Sequence, residues 1–220
     1  DTGGVATDVT LNYELPRWFS GLRWMRIDPD FRASLGLIYF TDRQGLSWYT
    51  RYDDEFRQGA IRELEADVFL RDYTHCDGTP FEKGIRASLN ATLRSDYRIG
   101  IEHEVATFEG THDRVFQVSV GGNVSNRFRQ WNLRYEFGQR SDRDIRFISF
   151  GITRRLLGKL DVGLNGSILR FDENRERYIL TVSWEFDELR ALSARLVQTD
   201  GNVNWYLACL LYTSPSPRDS

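Results

Sequence analysis

Apolar and polar residues alternate with a period of two along almost the whole chain, the mark of strands with one apolar face. In the clearest run, Ile85, Ala87, Leu89, Ala91 and Leu93 interleave with Arg86, Ser88, Asn90 and Thr92. Tyr97, Ile99, Ile101, His103 and Val105 form a second series, set against Arg98, Glu102 and Glu104. Further runs are Phe116–Val120, Trp131–Phe137, Leu160–Ile168 and Tyr178–Phe186. Noisier ones cover Val9–Leu15, Phe31–Phe40, Leu46–Tyr52, Ala66–Leu70, Ile148–Ile152 and Leu192–Leu196, and a last one starts at Val203, Trp205 and Leu207. Together they predict an all-β chain of about thirteen strands in an antiparallel up-and-down meander. Pro16, Pro29 and Pro80 fall between runs, as a residue without a ladder donor should. Turn chemistry also sits between runs, with short connections expected near Ser95, Ser125 and Asp187-Glu188. Longer polar ones are expected at 72–84, 109–114, 138–144 and 172–177.

Two features decide between a soluble sheet and a membrane barrel. The repeat near one strand per 16 residues exceeds the 8–12 spacing of soluble sandwiches and suits membrane strands of roughly ten residues plus connections. Charge also fills one face of the best runs and stays off the other, where an arginine facing lipid would cost about 2–4 kcal/mol. The expectation is a fragment of a transmembrane β-barrel in a bacterial outer membrane, with the lipid bilayer as partner. Its lumen-facing candidates are Arg86, Arg98, Glu102, Glu104, Arg134, Glu136 and Glu185. Mixed signs there suggest a laced interior more than an ion-selective pore. The six tryptophans, at 18, 24, 48, 131, 184 and 205, suit interfacial girdles.

Composition agrees. Charged residues are 28% of the 220, no run approaches the roughly 18 apolar residues of a membrane helix, and the net charge of -3 gives no reason to expect nucleic acid. Residues 209–220 (CLLYTSPSPRDS) break the pattern and read as translated sequencing adapter. The expected division is therefore a barrel domain over 1–208 and a tail over 209–220 outside the fold. A signal peptide is expected upstream of the first residue.

The run Ala191–Ala208 (ALSARLVQTDGNVNWYLA) resembles the closing region of an uncharacterised bacterial barrel domain that follows a carbohydrate-binding family-nine-like module. Arg23–Tyr39 (RWMRIDPDFRASLGLIY) is similar in style to earlier strands of that domain. The resemblance implies an outer-membrane location and a carbohydrate-linked setting through an upstream module. It supplies no catalytic motif.

Candidate chemistry is sparse. His75-Cys76-Asp77 places three potential ligands side by side, but the spacing matches no zinc pattern and reads as a loop tip. Glu102, His103 and Glu104 look like an acid–base trio, yet on a strand His103 points away from both carboxylates. A barrel-embedded hydrolase would need a serine such as Ser88 or Ser119 beside His103. No catalytic, cofactor-binding or metal residue is assigned. The functional readings are an outer-membrane anchor or passive conduit for an exported, carbohydrate-linked surface protein, a soluble antiparallel β-sheet binding or structural protein, and the hydrolase.

Overall fold

A computed structural model describes residues 3–32, 40–187 and 190–211. They form one 13-stranded antiparallel sheet in which every strand neighbours the next in chain order. The strands are β1 (Ala6–Leu15), β2 (Trp18–Ile27), β3 (Arg43–Glu55), β4 (Ile61–Thr74), β5 (Pro80–Leu93), β6 (Tyr97–Phe108) and β7 (Thr111–Gly122). They continue with β8 (Trp131–Arg140), β9 (Arg143–Leu156), β10 (Leu160–Arg170), β11 (Arg175–Asp187), β12 (Arg190–Thr199) and β13 (Asn202–Leu211). The all-β meander expected from alternation is thus the observed fold.

The membership of the set differs in one place. β2 is not among the runs that alternation marks, because Met25 and Ile27 on its polar side enter a buried apolar cluster with Tyr73 and Phe81. Apolar residues then occupy both faces of the same strand end and the period disappears. The run expected at Phe31–Phe40 falls mostly on 33–39, outside the described residues, as does Glu188 of the expected turn at 187–188.

Several connections are shorter than their polar composition suggests. Those expected at 72–84, 109–114 and 138–144 shrink to 75–79, 109–110 and 141–142, because the ladders run on to the turn. Glu109-Gly110, Ser141-Asp142 and Asp200-Gly201 hold positive φ at both residues, the hairpin geometry that matches strand twist. Near Ser125 the opposite holds, and the connection spans 123–130.

The chain divides into two compact units. Unit 1 comprises Asp1–Ser95, Ile99–Val118 and Glu136–Ile145, and unit 2 comprises Asp96–Arg98, Ser119–Tyr135 and Arg146–Ser220. In each, register sorts side chains into an apolar and a polar face. In unit 1, Leu22, Trp48, Leu70 and Ile85 stand opposite one another on successive strands. One residue along, Arg23, Ser47, Arg71 and Gly84 form the matching polar-side row. In unit 2 the row Ile152, Leu164, Leu180, Leu196 and Trp205 does the same.

The apolar rows are the exposed ones. Leu22 is 42% exposed, Ile85 43% and Trp205 75%, whereas Thr92 on the β5 polar side is 2% exposed. A soluble domain inverts this arrangement. The buried apolar cluster of Met25, Ile27, Tyr73 and Phe81, with Phe31 and Phe108 against it, lies instead at one end of the unit 1 polar face.

β13 runs to Leu211, so residues 209–211 of the segment set apart by sequence stand in register with Leu192, Ala191 and Arg190. Residues 212–220 lie outside the described residues.

Some glycines leave no room for a side chain between neighbouring strands. Gly138 in β8 has φ +137, and a Cβ there would sit 2.0 Å from the Arg114 carbonyl oxygen. Gly138→Ala is expected to cost about 1–3 kcal/mol. Gly163→Ala, whose added carbon meets nothing nearer than 3.9 Å, is expected to be neutral or slightly stabilising. Denaturant midpoints of the two variants check this; equal midpoints contradict it.

Candidate functional site

The polar face is where the sequence-predicted residues gather, each on the polar side of its own strand. In unit 1, the β4 guanidinium of Arg71 bridges two neighbouring strands. Its Nη2 donates to Glu104 Oε1 at 2.7 Å, and its Nε lies 2.5 Å from Glu82 Oε1. All three side chains are largely shielded, at 16–21% exposure. Arg86 lies over the Phe69 ring at 5.8 Å, and Arg71 lies over the same ring at 5.7 Å. Arg43 sits over Tyr73 in the same manner. The Nε atoms of Arg43 and Arg86 are buried without hydrogen-bond partners among the described residues, and both guanidiniums lie within cation–π range of these rings.

Neighbouring rows repeat the lacing. Arg23 pairs with Asp8, and Arg51 with Asp53 and Glu65. Ser88 donates to Asp67 at 2.6 Å. Asp53, Glu63 and Glu65 bring ligand atoms within 4.8 Å of one another. Arg51 sits against two of them, Asp53 and Glu65, and partly offsets their charge. Buried Glu136 pairs with Arg140 at 3.1 Å. Glu102 is half-buried on the polar side of β6.

In unit 2, Arg155 donates to Asp161 at 2.7 and 2.6 Å and to Glu185 at 2.8 Å, with its guanidinium 3.6 Å from the Phe128 ring centre. Arg134 lies over Phe147 at 5.8 Å. Arg98 lines a cleft with Ser119, Asn132, Thr153 and Asn165.

Of the seven sequence-predicted residues, the structure thus joins Glu104 to Arg71 and Glu82, and Glu185 to Arg155 and Asp161. Arg71, Glu82 and Arg155 are absent from the prediction. The strands of Arg71 and Arg155 carry noisy alternation, but counting parity onward from Leu70 or Ile152 places both on the polar side, and Glu82 lies just ahead of the run that starts at Ile85.

The other candidates disperse. His75 Nδ1 lies 3.1 Å from Asp42 Oδ2, the Cys76 N–H donates to Asp42 Oδ1, and Asp77 accepts from the Thr79 N–H and hydroxyl. His75 and Cys76 therefore turn to Asp42 and Asp77 to Thr79, and the three do not converge on one point. Burial, and then Asp42, pushes the Cys76 thiol up from its ordinary value. His103 lies on the apolar face, its ring 6.1 Å from Phe116. Ser88 faces the other way onto Asp67, so a Ser88–His103 pair is not assembled.

No family model and no curated protein matches the sequence. Two solved structures are similar. A KdgM porin shares 11% identity at a TM-score of 0.35, over 78% of this chain and 94% of that one. A KdgM porin in complex with disordered oligogalacturonate shares 11% identity at 0.34, over 96% and 100%.

Two outcomes follow from this geometry. Arg71→Met strips two shielded carboxylates of their shared counter-charge and is expected to cost about 2–4 kcal/mol. Adding Glu82→Gln and Glu104→Gln should recover part of that loss. Equilibrium unfolding checks both, and an unchanged midpoint for Arg71→Met contradicts the assignment. In the 75–79 turn, the Thr79 N–H and hydroxyl hold the Asp77 carboxyl below the usual carboxylate range. A lowered folded-state value means the interaction is intact above the ordinary carboxylate value and lost only as pH falls through the lowered one. Amide-exchange protection of Thr79 should persist through the pH at which a free aspartate titrates, and Asp77→Ala should remove it at every pH.

Proposed function

We propose that this chain is part of a bacterial outer-membrane β-barrel, with its apolar face against lipid and its polar face lining the interior. The carrying observation is the exposure of the apolar rows on consecutive strands of both units, while the shielded ion pairs of Arg71 and Arg155 lie on the other side. Monomeric soluble proteins rarely expose contiguous apolar surface beyond a few hundred Å². A bilayer removes that penalty, provided each backbone donor and acceptor is satisfied by a neighbouring strand. Strand length supports the reading, because 10–14 residues suffice where about 9–11 tilted residues cross the hydrocarbon core. All six tryptophans project from the apolar face, and Trp18 and Trp131 are the first residues of their strands. Interfacial aromatic belts take that position.

Within this reading the chain serves as membrane anchor or passive conduit. The wording of Ala191–Ala208 supports a carbohydrate-linked setting, with an upstream binding module as partner. Cross-laced charges on the polar face favour a partly filled interior over a selective pore.

The reading is tested by placing the chain behind an export signal in a Gram-negative host. The protein should stay with outer membranes through carbonate and urea washes and migrate differently on gels when unheated. Leu89→Arg, at the middle of the β5 apolar face, should lower stability in lipid by about 2–4 kcal/mol, and Asn90→Arg far less. Release as a folded, detergent-free monomer contradicts the proposal and favours a soluble sheet.

A further inference from the structure

The polar face of unit 2 differs in character from that of unit 1. Where unit 1 is laced by ion pairs, the middle of unit 2 carries uncharged hydrogen-bonding groups around open space. Two adjoining clefts of about 390 and 230 Å³ share Asn132 and Asn165 as a common wall. Gln130, Thr153 and Ser119 line the larger, and Ser149 and Ser167 the smaller. Arginines stand only at the margins, Arg98 in the larger cleft and Arg177 in the smaller.

The centre of the site is a glycine. Gly151 pairs with Asn165 across the β9–β10 ladder. A Cβ on it would lie 2.5 Å from Asn132 Oδ1 and 2.8 Å from Asn165 Oδ1. The missing side chain lets two amides from strands on either side converge over one patch of backbone. Both remain exposed to the cleft.

We infer that these clefts form a binding site for a neutral saccharide, with Asn132 and Asn165 as its central contacts. The chemistry of recognition is complementary. Each sugar hydroxyl both donates and accepts, and a carboxamide offers an acceptor and two donors side by side. Two converging amides with surrounding hydroxyls therefore match a vicinal diol without a charge to desolvate. The larger cleft falls within the usual range of small-molecule sites, about 300–1,000 Å³, and the shared wall suits consecutive sugar units. An anionic ligand would be drawn instead to Arg98 or Arg177, at the edges. This inference does not rest on membrane insertion, because it concerns only the polar face.

The test is isothermal titration of the folded chain, in detergent micelles or in buffer according to its fractionation. The ligands are cellotetraose, maltotetraose and a glucuronic-acid trimer. At least one neutral tetrasaccharide should bind, and Asn132→Ala with Asn165→Ala should weaken it by about tenfold or more. Gly151→Val, which pushes the amides apart, should do the same, while Ser193→Ala on β12 should leave binding unchanged. Circular dichroism and thermal melting of each variant separate lost binding from lost fold. Asn132→Gln, which keeps the amide and shifts its reach, should bind more weakly than wild type with an unchanged melt. Absence of neutral binding up to about 10 mM ligand would falsify the inference. So would preferential binding of the acidic trimer that survives the asparagine changes and is lost in Arg98→Ala.

Discussion

The backbone ladder is the constraint from which the rest follows. Among the described residues thirteen strands pair in chain order, so between the outer edges of β1 and β13 the backbone N–H and C=O groups find partners in neighbouring strands, whatever medium touches the side chains. Pairing by itself leaves register open, and register has large consequences because a one-residue slip exchanges the two faces. Such a slip between β3 and β4 would bring Arg71 into the row of Leu22 and Trp48 and carry Gly84 with it. Elsewhere in the sheet, two-residue turns with positive φ at 109–110, 141–142 and 200–201 oppose such slips in their own hairpins, as does the lack of room for a side chain at Gly138 between β7 and β8.

Once register is set, the polar face must neutralise itself. Arg71 answers Glu82 and Glu104, Arg51 answers Asp53 and Glu65, and Arg155 answers Asp161 and Glu185. Each set spans different strands, so each also acts as a register lock, with a misaligned ladder leaving shielded charges unpaired. Aromatic rings on the same face also take up guanidinium surface, as Phe69 does for Arg86. Unit 2 adds the uncharged stretch around Gly151, where the same alternation yields amides and hydroxyls in place of salt links.

Strands whose two faces differ sharply were legible directly in the sequence. Ile85–Leu93 and Tyr97–Val105 needed only parity. β2 was not, because Met25 and Ile27 supply a buried cluster on the side that elsewhere is polar. Nor were the connection lengths, since Asp72, Glu82 and Asp113 are as acceptable at the end of a solvated strand as in a loop. The seven predicted polar-face residues were readable as positions, but their partners were not. Arg71 meets Glu104 across 33 residues of sequence, and local spacing cannot report a contact two strands away. The convergence of Asn132 and Asn165 was hidden for the same reason, with a glycine on the intervening strand as its only trace.

The central claim is that the apolar face meets hydrocarbon, and the tryptophans report on it directly, since all six lie on that face. The decisive measurement is quenching of intrinsic fluorescence in vesicles, by lipids brominated along their acyl chains and, separately, by iodide in the water. The account predicts strong quenching by brominated lipid and weak quenching by iodide. Strong iodide quenching with no response to brominated lipid would contradict it and place the apolar face in water or against another protein surface.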